Sequence, residues 1–360
     1  MRAFAVHLAE LGHSVIVQPV ARKTDYQADP GIVIVPMPWK GGDQELASMN
    51  FMSPRNWLLF LRFFIEGTIN TFTVNKAYRI ERTICMWAVP SGVLGLAGKI
   101  RNAVPYDIWV LGSDIWRIRK IPVLGKLILK TLLKNADRVF ADGIQLCNDV
   151  QALTGVPCAF LPSSRTMPVP NRTVSLPNGA ELNHFLFVGR YHPNKGPDLL
   201  IKAIGCLPDG IKESIRVHLF GIGPLEEELS ILISRMRLER YIRLNGPIDA
   251  QEFSNYLQSV SFLVIPSRIE SIPVVFSDAL QRGTPVVAMP VGDLENLIKK
   301  YKCGVVAEAV TPEALASALQ KALAAGKDSF AAGVVKAGEQ FEMKNAVTRW
   351  LRSRELDRPT

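Results

Sequence analysis

The segment Ser261–Met289 has the sequence SFLVIPSRIESIPVVFSDALQRGTPVVAM. Two apolar runs, 262–265 and 285–289, predict buried strands near its two ends. Residues 274–281 have the spacing of a helix, and Gly283 lies just past the end of that helix as a cap. The order strand, loop, helix, strand predicts one repeat of an alternating α/β fold.

Two carboxylates in this segment lie where a ligand could bind. Glu270 lies in the loop after the first strand, and Asp278 follows eight residues later, inside the helix. Both can face the crevice above the carboxyl edge of the sheet, where open α/β sheets bind ligands. The spacing alone fits an ordinary strand–loop–helix unit with two solvated acids equally well. The neighbouring segments must decide between these interpretations.

The same alternation extends along both halves of the chain. In the second half, apolar runs predict strands at 184–188, 216–220, 242–244, 262–265, 285–289 and 303–307. Helical segments separate these runs, which predicts a parallel, doubly wound sheet. In the first half, strands are predicted at 14–17, 31–36, 83–89, 106–111 and 139–141. A helix at 1–11 precedes the first of them, whereas a βαβ unit should begin with a strand and a phosphate-facing turn.

Prolines accumulate among Ser, Thr and Asn between residues 157 and 182, a composition typical of a linker. We therefore expect a first domain at 1–165, a linker at 166–182 and a second domain at 183–340. We expect the C-terminal helix at 341–356 to pack back on the first domain.

Composition indicates a globular protein, because 48% of the 360 residues are hydrophobic and 21% are charged. No apolar run is long enough to span a bilayer. The five cysteines are scattered, which favours reduced thiols in a cytosolic protein over zinc ligands or disulfides. The net charge is +9, and nearly all of the excess falls in residues 1–180. This favours an anionic partner for the first half, although a merely soluble basic face would give the same count.

Two predicted helices of the first half have residue patterns that could bind such an anionic partner. Asn56 is placed to cap a helix over 57–70, whose run LLFLRFFI is apolar nearly all round. This pattern predicts a buried helix or, alternatively, a helix on a membrane surface. A second helix carries Lys126, Lys130 and Lys134 on one face. That face is either simply solvated or the basic side of a membrane-facing helix.

Polar and small residues follow the predicted strands of the second half. Arg190 and Lys195 flank a short loop that opens on a helix, and two cations there could clamp a diphosphate. Gly221 and Gly223 would permit close backbone approach to a ligand. The dinucleotide pattern GxGxxG is not completed, because position 226 is Glu. The sequence contains no Walker lysine motif, no metal-ligand cluster and no nucleophile elbow.

Taken together, four pieces of the second half resemble the donor-binding domain of retaining GT-B glycosyltransferases of family 4, the glycosyl transferases group 1. These pieces are FLFVGRYHPNKGPDLLIKAI, HLFGIGPLEEEL, IRLNGPI and PSRIESIPVVFSDALQRGTPVVA. The first half is similar to the acceptor domain more weakly, through AFAVHLAELGHSVIV, PSG at 90–92 and GSDIW at 112–116. The resemblance implies an α/β fold with two Rossmann-like, doubly wound parallel-sheet domains facing each other across a cleft.

The resemblance also implies an activity. It is the transfer of a hexose from a nucleotide diphosphate sugar to a saccharide or lipid-linked acceptor, with retention at the anomeric carbon and with neither metal nor cofactor. Arg190 and Lys195 would hold the diphosphate and stabilise the charge on the leaving nucleotide. Glu270 would bind the sugar hydroxyls as the third catalytic group. The other donor-binding residues would be Gly112, Ser113, Asp114, Gly189, Gly221, Gly223, Asn245, the backbone amides of Ser271, Ile272, Pro273 and Val274, and Asp278 on the ribose.

The chain departs from the family pattern at three places. The second carboxylate is Asp278 where the family has Glu, and Leu111 occupies a position where many relatives carry His. The first strand of the acceptor domain and its glycine-rich loop are missing, from which we expect an internal start or a truncated homologue. The alternative function is therefore a non-catalytic protein that binds nucleotide sugars.

The expected partners and location follow from the charge and from the resemblance. We expect a cytoplasmic protein of polysaccharide or glycolipid biosynthesis, bound peripherally to the anionic inner face of a membrane through its first domain. A nucleic-acid partner is disfavoured, because the positive charge lies away from the motif-rich half and no recognition fold is present.

Overall fold

The computed structural model describes residues 2–20, 29–42, 53–112, 115, 123–176 and 182–355. The chain falls into two units. The first unit contains Met1–Pro162 together with Arg349–Thr360, and the second contains Ser163–Thr348. Each contains parallel strands connected through helices, so the predicted α/β class is confirmed.

The first unit contains a parallel pair of strands, β1–β2, and a four-stranded parallel sheet in the order β3-β4-β5-β6. The strands are β1 (Val15–Val17), β2 (Ile32–Ile34), β3 (Thr83–Met86), β4 (Tyr106–Val110), β5 (Arg138–Ala141) and β6 (Ala159–Phe160). The helices that begin in this unit are α1 (Arg2–Glu10), α2 (Pro54–Ala77), α3 (Gly92–Asn102), α4 (Leu124–Asn135) and α5 (Ile144–Thr154). Strand β4 is buried along its whole length, as expected of a strand covered on both faces.

Helix α2 differs from the prediction in its start, its length and its burial. It begins at Pro54, a residue suited to a first helical turn, and Ser53 occupies the N-cap position that was predicted for Asn56. Only part of its apolar surface is buried, for example at Phe63. Trp57 and Leu58 are 58% and 70% exposed, so a helix buried on all sides is excluded.

The second unit contains one six-stranded parallel sheet in the order β12-β11-β10-β7-β8-β9. Its strands are β7 (Asn183–Val188), β8 (Ile215–Phe220), β9 (Ile242–Asn245), β10 (Phe262–Ile265), β11 (Val286–Ala288) and β12 (Gly304–Val306). The helices that begin in this unit are α6 (Pro197–Gly205), α7 (Asp209–Glu213), α8 (Glu226–Arg235), α9 (Ala250–Ser259), α10 (Val274–Gln281), α11 (Leu294–Tyr301), α12 (Pro312–Ala325), α13 (Ala331–Phe341) and α14 (Met343–Glu355). This is the doubly wound Rossmann order, in which the chain turns back between β7 and β10.

The last helix, α14, crosses from the second unit to the first at Arg349. Within the first unit, the indole Nε1 of Trp350 donates a hydrogen bond to the buried carboxylate of Asp107 at 2.9 Å. Arg138 donates to the carbonyl of Trp350 at 2.8 Å and also bonds Asp107. The ring of Trp350 meets that of Phe4 edge to face. The C-terminal residues therefore contribute a ring and a backbone acceptor to the packing of the first unit.

Residues 163–176, which include the start of the linker predicted at 166–182, lie along helices α9 and α10 of the second unit, and we call them the strap. Side chains of the helices bond its backbone. Gln281 donates to the carbonyl of Arg165 at 2.9 Å, and Arg282 donates to that of Met167 at 2.6 Å. Further along, Asn255 accepts from the amide of Asn171 at 3.0 Å. These bonds explain how a segment without helix or strand satisfies its backbone.

Candidate active site

The site lies where the strand order of the second unit reverses. Strands β7 and β10 are neighbours, and their chains leave in opposite directions along the sheet. Their carboxyl ends continue into two loops, which we call the β7 loop (189–196) and the β10 loop (266–273). A crevice opens between such loops because their crossovers cover opposite faces of the sheet. The predicted catalytic residues Arg190, Lys195 and Glu270 all lie in these two loops.

The structure brings Lys195 and Glu270 together although 75 positions separate them. The ammonium of Lys195 pairs with Oε1 of Glu270, and the hydroxyl of Ser267 lies 3.3 Å from the same oxygen. The side chain of Lys195 is 38% exposed and that of Glu270 is 13% exposed. The cation is therefore open to an incoming anion, while the carboxylate is largely enclosed.

Local structure explains the position of Lys195. Pro193–Lys195 form a single 3₁₀ turn, and Gly196 follows in the left-handed region with φ at 65°. A Cβ on Gly196 would lie 2.0 Å from the carbonyl oxygen of Pro266, so glycine is required for this close approach of the two loops. Lys195 consequently lies beside the β10 loop. Arg190 lies at the start of the same loop and is exposed.

The glycines predicted to approach a ligand also lie close to other parts of the protein. A Cβ at Gly221 would lie 2.0 Å from the carbonyl oxygen of Gly189, and one at Gly223 would lie 2.3 Å from that of Tyr191. At Gly189 itself, the nearest atom to a Cβ would be in the ring of Phe187. Glycine at 221 and 223 thus allows the loop after β8 to pack on the β7 loop, and the predicted approach of these glycines to a ligand stays a prediction.

Tyr191 is a structural residue of the site that the sequence analysis missed. It is fully buried, and its hydroxyl lies 2.9 Å from the carbonyl of Leu219 and 2.7 Å from that of Asn245. Burial raises the pKa of the Tyr191 phenol, so the hydroxyl keeps its proton and donates it. Asn245, predicted to lie along the nucleotide, donates its own amide to the carbonyl of Leu219 at 3.2 Å. A tyrosine three residues after a strand gives no signal by itself that could have identified this role.

Asp278 is fully buried and is the partner of Arg165 in the strap. Nε of Arg165 lies 3.0 Å and 3.1 Å from the two carboxylate oxygens, and Nη2 lies 2.7 Å from Oδ2. Burial raises the pKa of Asp278, and the hydrogen bonds and charge of Arg165 oppose that rise. A ribose contact to Asp278 would therefore require this ion pair to open.

The backbone between Glu270 and helix α10 is held from one side. A Cβ on Gly292 would lie 2.3 Å from the carbonyl oxygen of Glu270, and the amide of Asp293 donates to the carbonyl of Ser271. The amides predicted to line the sugar need a correction at Pro273, because proline has no N–H. Only Ser271, Ile272 and Val274 can donate there, beside the first turn of α10, whose amides have no partner within the helix.

Of the donor-site residues predicted in the first half, the structure describes only Gly112. This residue follows strand β4 with φ at 88°, a conformation that favours glycine. Ser113 and Asp114 lie outside the described residues. In the described part of the chain, no cluster of three or more His, Cys, Asp or Glu side chains is arranged to hold a metal ion.

Solved structures share this fold over nearly the whole chain. Sucrose-phosphate synthase from Thermosynechococcus elongatus superposes with a TM-score of 0.75 at 17% identity, covering 99% of this chain and 92% of that protein. WaaG, a glycosyltransferase involved in lipopolysaccharide biosynthesis, gives 0.64 at 16% identity, with coverage of 97% and 93%. The fold is therefore that of the GT-B glycosyltransferases, as predicted.

Sequence comparison relates the second unit to a family of glycosyltransferases. Residues 174–341 match the family model "Glycosyl transferases group 1". An uncharacterized glycosyltransferase of Methanocaldococcus jannaschii is 26% identical over 70% of this chain and 69% of its own length. The D-inositol 3-phosphate glycosyltransferase of Streptomyces griseus is 34% identical over 37% of this chain and 30% of its own length. The second unit therefore matches the glycosyl transferases group 1, and the relatives of the chain support a transferase.

Proposed function

We propose that this chain transfers a hexose from a nucleotide diphosphate sugar to a saccharide or lipid-linked acceptor, with retention of the anomeric configuration and without a metal ion. The observation that supports this most is the pairing of Lys195 with Glu270 at the point where the strand order reverses. An open α/β sheet binds its ligand at this point. The pair combines a cation for a diphosphate with an acceptor for sugar hydroxyls.

Donor binding exchanges the partners of this pair. A diphosphate entering beside Arg190 and Lys195 offers each cation oxygens of higher charge than one carboxylate. Lys195 then turns to the diphosphate and leaves Glu270 free to accept hydrogen bonds from the sugar. As the bond between sugar and diphosphate breaks, negative charge grows on the leaving oxygen, where the two cations stabilise it.

Retention follows in this proposal from attack on the face that the nucleotide leaves. With Lys195 on the diphosphate, Glu270 keeps its contact with Ser267 and serves as a hydrogen-bond acceptor for the donor rather than as a nucleophile. The acceptor hydroxyl approaches beside the departing diphosphate, whose oxygen takes up the proton of that hydroxyl. This route requires no covalent intermediate with the protein.

The first unit supports the proposal of a lipid-linked acceptor on an anionic membrane. Exposed apolar side chains follow one another at helical spacing along α2, at Trp57, Leu58, Leu61, Ile65 and Ile69. On α4, Lys126, Lys130 and Lys134 are exposed, together with Leu124 and Leu127. Apolar side chains accompanied by lysines are typical of surfaces that bind anionic lipid. Among the residues that the structure describes, no helix has both the length and the apolar character needed to cross a membrane.

A donor panel tests the activity. The purified chain is incubated with UDP-, GDP- and ADP-hexoses, and release of the nucleoside diphosphate is measured with and without membrane lipid extract. We expect one donor to be turned over, and we expect Glu270→Ala to reduce turnover by about 100-fold or more. NMR of the product should show the anomeric configuration of the donor. A donor that binds without being turned over would instead support the non-catalytic binding protein, and inversion would contradict the proposed mechanism.

A further inference from the structure

Arg268 joins the β10 loop to the β7 loop by a contact separate from that between Lys195 and Glu270. Its Nη1 lies 2.8 Å from Oδ1 of Asp198, and its Nη2 lies 2.7 Å from Oδ2. Two parallel bonds of this kind fix the angle between the partners as well as their distance. Asp198 lies in the first turn of α6, three residues after Lys195.

The same arginine also binds the backbone of the turn that carries Lys195. Nη1 of Arg268 donates to the carbonyl of Pro193 at 2.7 Å, and its backbone amide donates to the carbonyl of Asn194 at 2.8 Å. Arg268 therefore holds the β7 loop at two points just before Lys195 and holds the first turn of α6 at a third point after it. Glu270 lies only two residues beyond Arg268 in the β10 loop.

These contacts act on loops that have little freedom to adjust. At Gly196 the β7 loop lies against the carbonyl of Pro266, and at Gly292 a neighbouring turn lies against the carbonyl of Glu270. The β10 loop is thus held from both sides. Arg268 adds side-chain hydrogen bonds between the two loops, and their loss would let Glu270 move relative to Lys195.

Arg268 and Asp198 are both charged at neutral pH. Burial alone would raise the pKa of Asp198, but the hydrogen bonds and charge of Arg268, together with the charge of Lys202, hold that pKa below its usual value. The guanidinium of Arg268 is engaged with Asp198 and Pro193, so it acts through the loops and not on the donor. A lysine could replace its charge but could not form the two parallel bonds.

We propose that Arg268 and Asp198 are positioning residues, which set the distance between Lys195 and Glu270 needed for transfer. This inference rests on the proposed function, because it assigns the purpose of the contact to that reaction. Displacing a reacting group by about 1 Å can reduce a rate by roughly 100-fold even when binding persists. The expected defect is therefore in kcat and not in the affinity for the donor.

The test compares R268M, R268K and D198N with the wild type, and uses R172M as a matched control. Arg172 forms an ion pair with both oxygens of Glu252 in the same unit, and both residues lie outside the two loops. We expect R268M to lower kcat at least tenfold with the donor KM changed less than threefold, and R268K to recover part of the loss. The double variant R268M/D198N should lose no more than R268M. The control should stay within twofold of the wild type.

Two results would overturn the inference. The first is a kcat within twofold of the wild type in both R268M and D198N. The other is a hydrogen-exchange measurement in which peptides covering 193–198 and 266–273 exchange in R268M as slowly as in the wild type. In R268M we expect these peptides to exchange at least tenfold faster than in the wild type. In R172M we expect their exchange rate to be unchanged. A wild type without turnover would reject the proposed function, and the exchange measurement would still decide whether Arg268 holds the loops.

Discussion

At the scale of single residues, two ion pairs of the second unit each join an enclosed carboxylate to a partly exposed cation. Asp278 is fully buried, whereas the side chain of its partner Arg165 is 46% exposed. Lys195 is likewise more exposed than Glu270. A partly exposed cation retains some hydration, which limits the penalty for burying the carboxylate. Such a cation can also leave its partner when a stronger anion arrives, which is the behaviour proposed for Lys195.

Only part of this arrangement could be predicted from the sequence. Glu270 and Lys195 lie in loops that follow apolar runs, and the parallel alternation places all such loops at one edge of the sheet. Arg165 and Asp278 are 113 positions apart, and Arg268 and Asp198 are 70 apart. No local period connects such residues, so their pairing depends on how the strap and the loops pack.

Replacing Arg165 by Met should destabilise the second unit by about 3 kcal/mol at pH 7, because it leaves a buried carboxylate without its cation. Burial already raises the pKa of Asp278, and loss of Arg165 should raise it further. A raised pKa in the folded state favours the protonated form. The defect should therefore shrink as the pH falls towards the ordinary range of an aspartate. Thermal unfolding at pH 7 and pH 4.5 measures this, with R165M/D278N as the control that removes the charge. A defect equally large at both pH values would contradict the role of the buried charge.

His218 should make the stability of the second unit depend on pH. Burial, the charge of His184 and that of Arg243 lower the pKa of His218 to about 4. The unfolded chain binds this proton near pH 6.5, so stability should fall by about 3 kcal/mol as the pH drops from about 6.5 to about 4. Chemical unfolding of H218Q should show a correspondingly flatter pH dependence. His13, an exposed residue, offers the control H13Q. A wild type and an H218Q with parallel pH profiles would show that another group is responsible.

At the scale of elements, strands were predicted better than segments whose surroundings depend on residues distant in the sequence. Each strand of the second unit overlaps an apolar run, because a strand covered on both faces needs apolar side chains along its length. The strap has a proline-rich composition typical of linkers, and its bonds come from side chains of α9 and α10. In α2 the apolar run suggested complete burial, yet one face remains exposed.

The exposed face of α2 should be required for binding to anionic vesicles. Replacing Leu61 and Ile65 by Ser removes apolar surface that is already in water, so stability should change by less than about 0.5 kcal/mol. Sedimentation with phosphatidylglycerol vesicles should show at least a fivefold loss of bound protein. A matched variant, V335S, changes an exposed apolar residue of the second unit and should bind normally. Equal binding by L61S/I65S and the wild type would contradict the proposal that α2 is part of the membrane-binding surface.

At the scale of the whole molecule, the two units contribute different observations to the proposed function. The second unit contains the complete doubly wound sheet, the paired loops and the match to the family model. The first unit contains the basic excess and the exposed apolar face of α2. This division fits a donor-binding half and a half that meets the acceptor, although the choice of sugar, base and acceptor depends on contacts that no sequence period encodes.

The most direct test of this account is calorimetric titration of the whole chain with the donor that the panel selects, compared between the wild type and Lys195→Met. We predict one saturable site in the wild type and at least tenfold weaker binding in K195M, because one of the two cations that hold the diphosphate is lost. Substitution of a lysine outside the loops, Lys321→Met, should leave the affinity unchanged. Binding of equal strength in K195M and the wild type would contradict the assignment of the site to the loops after β7 and β10.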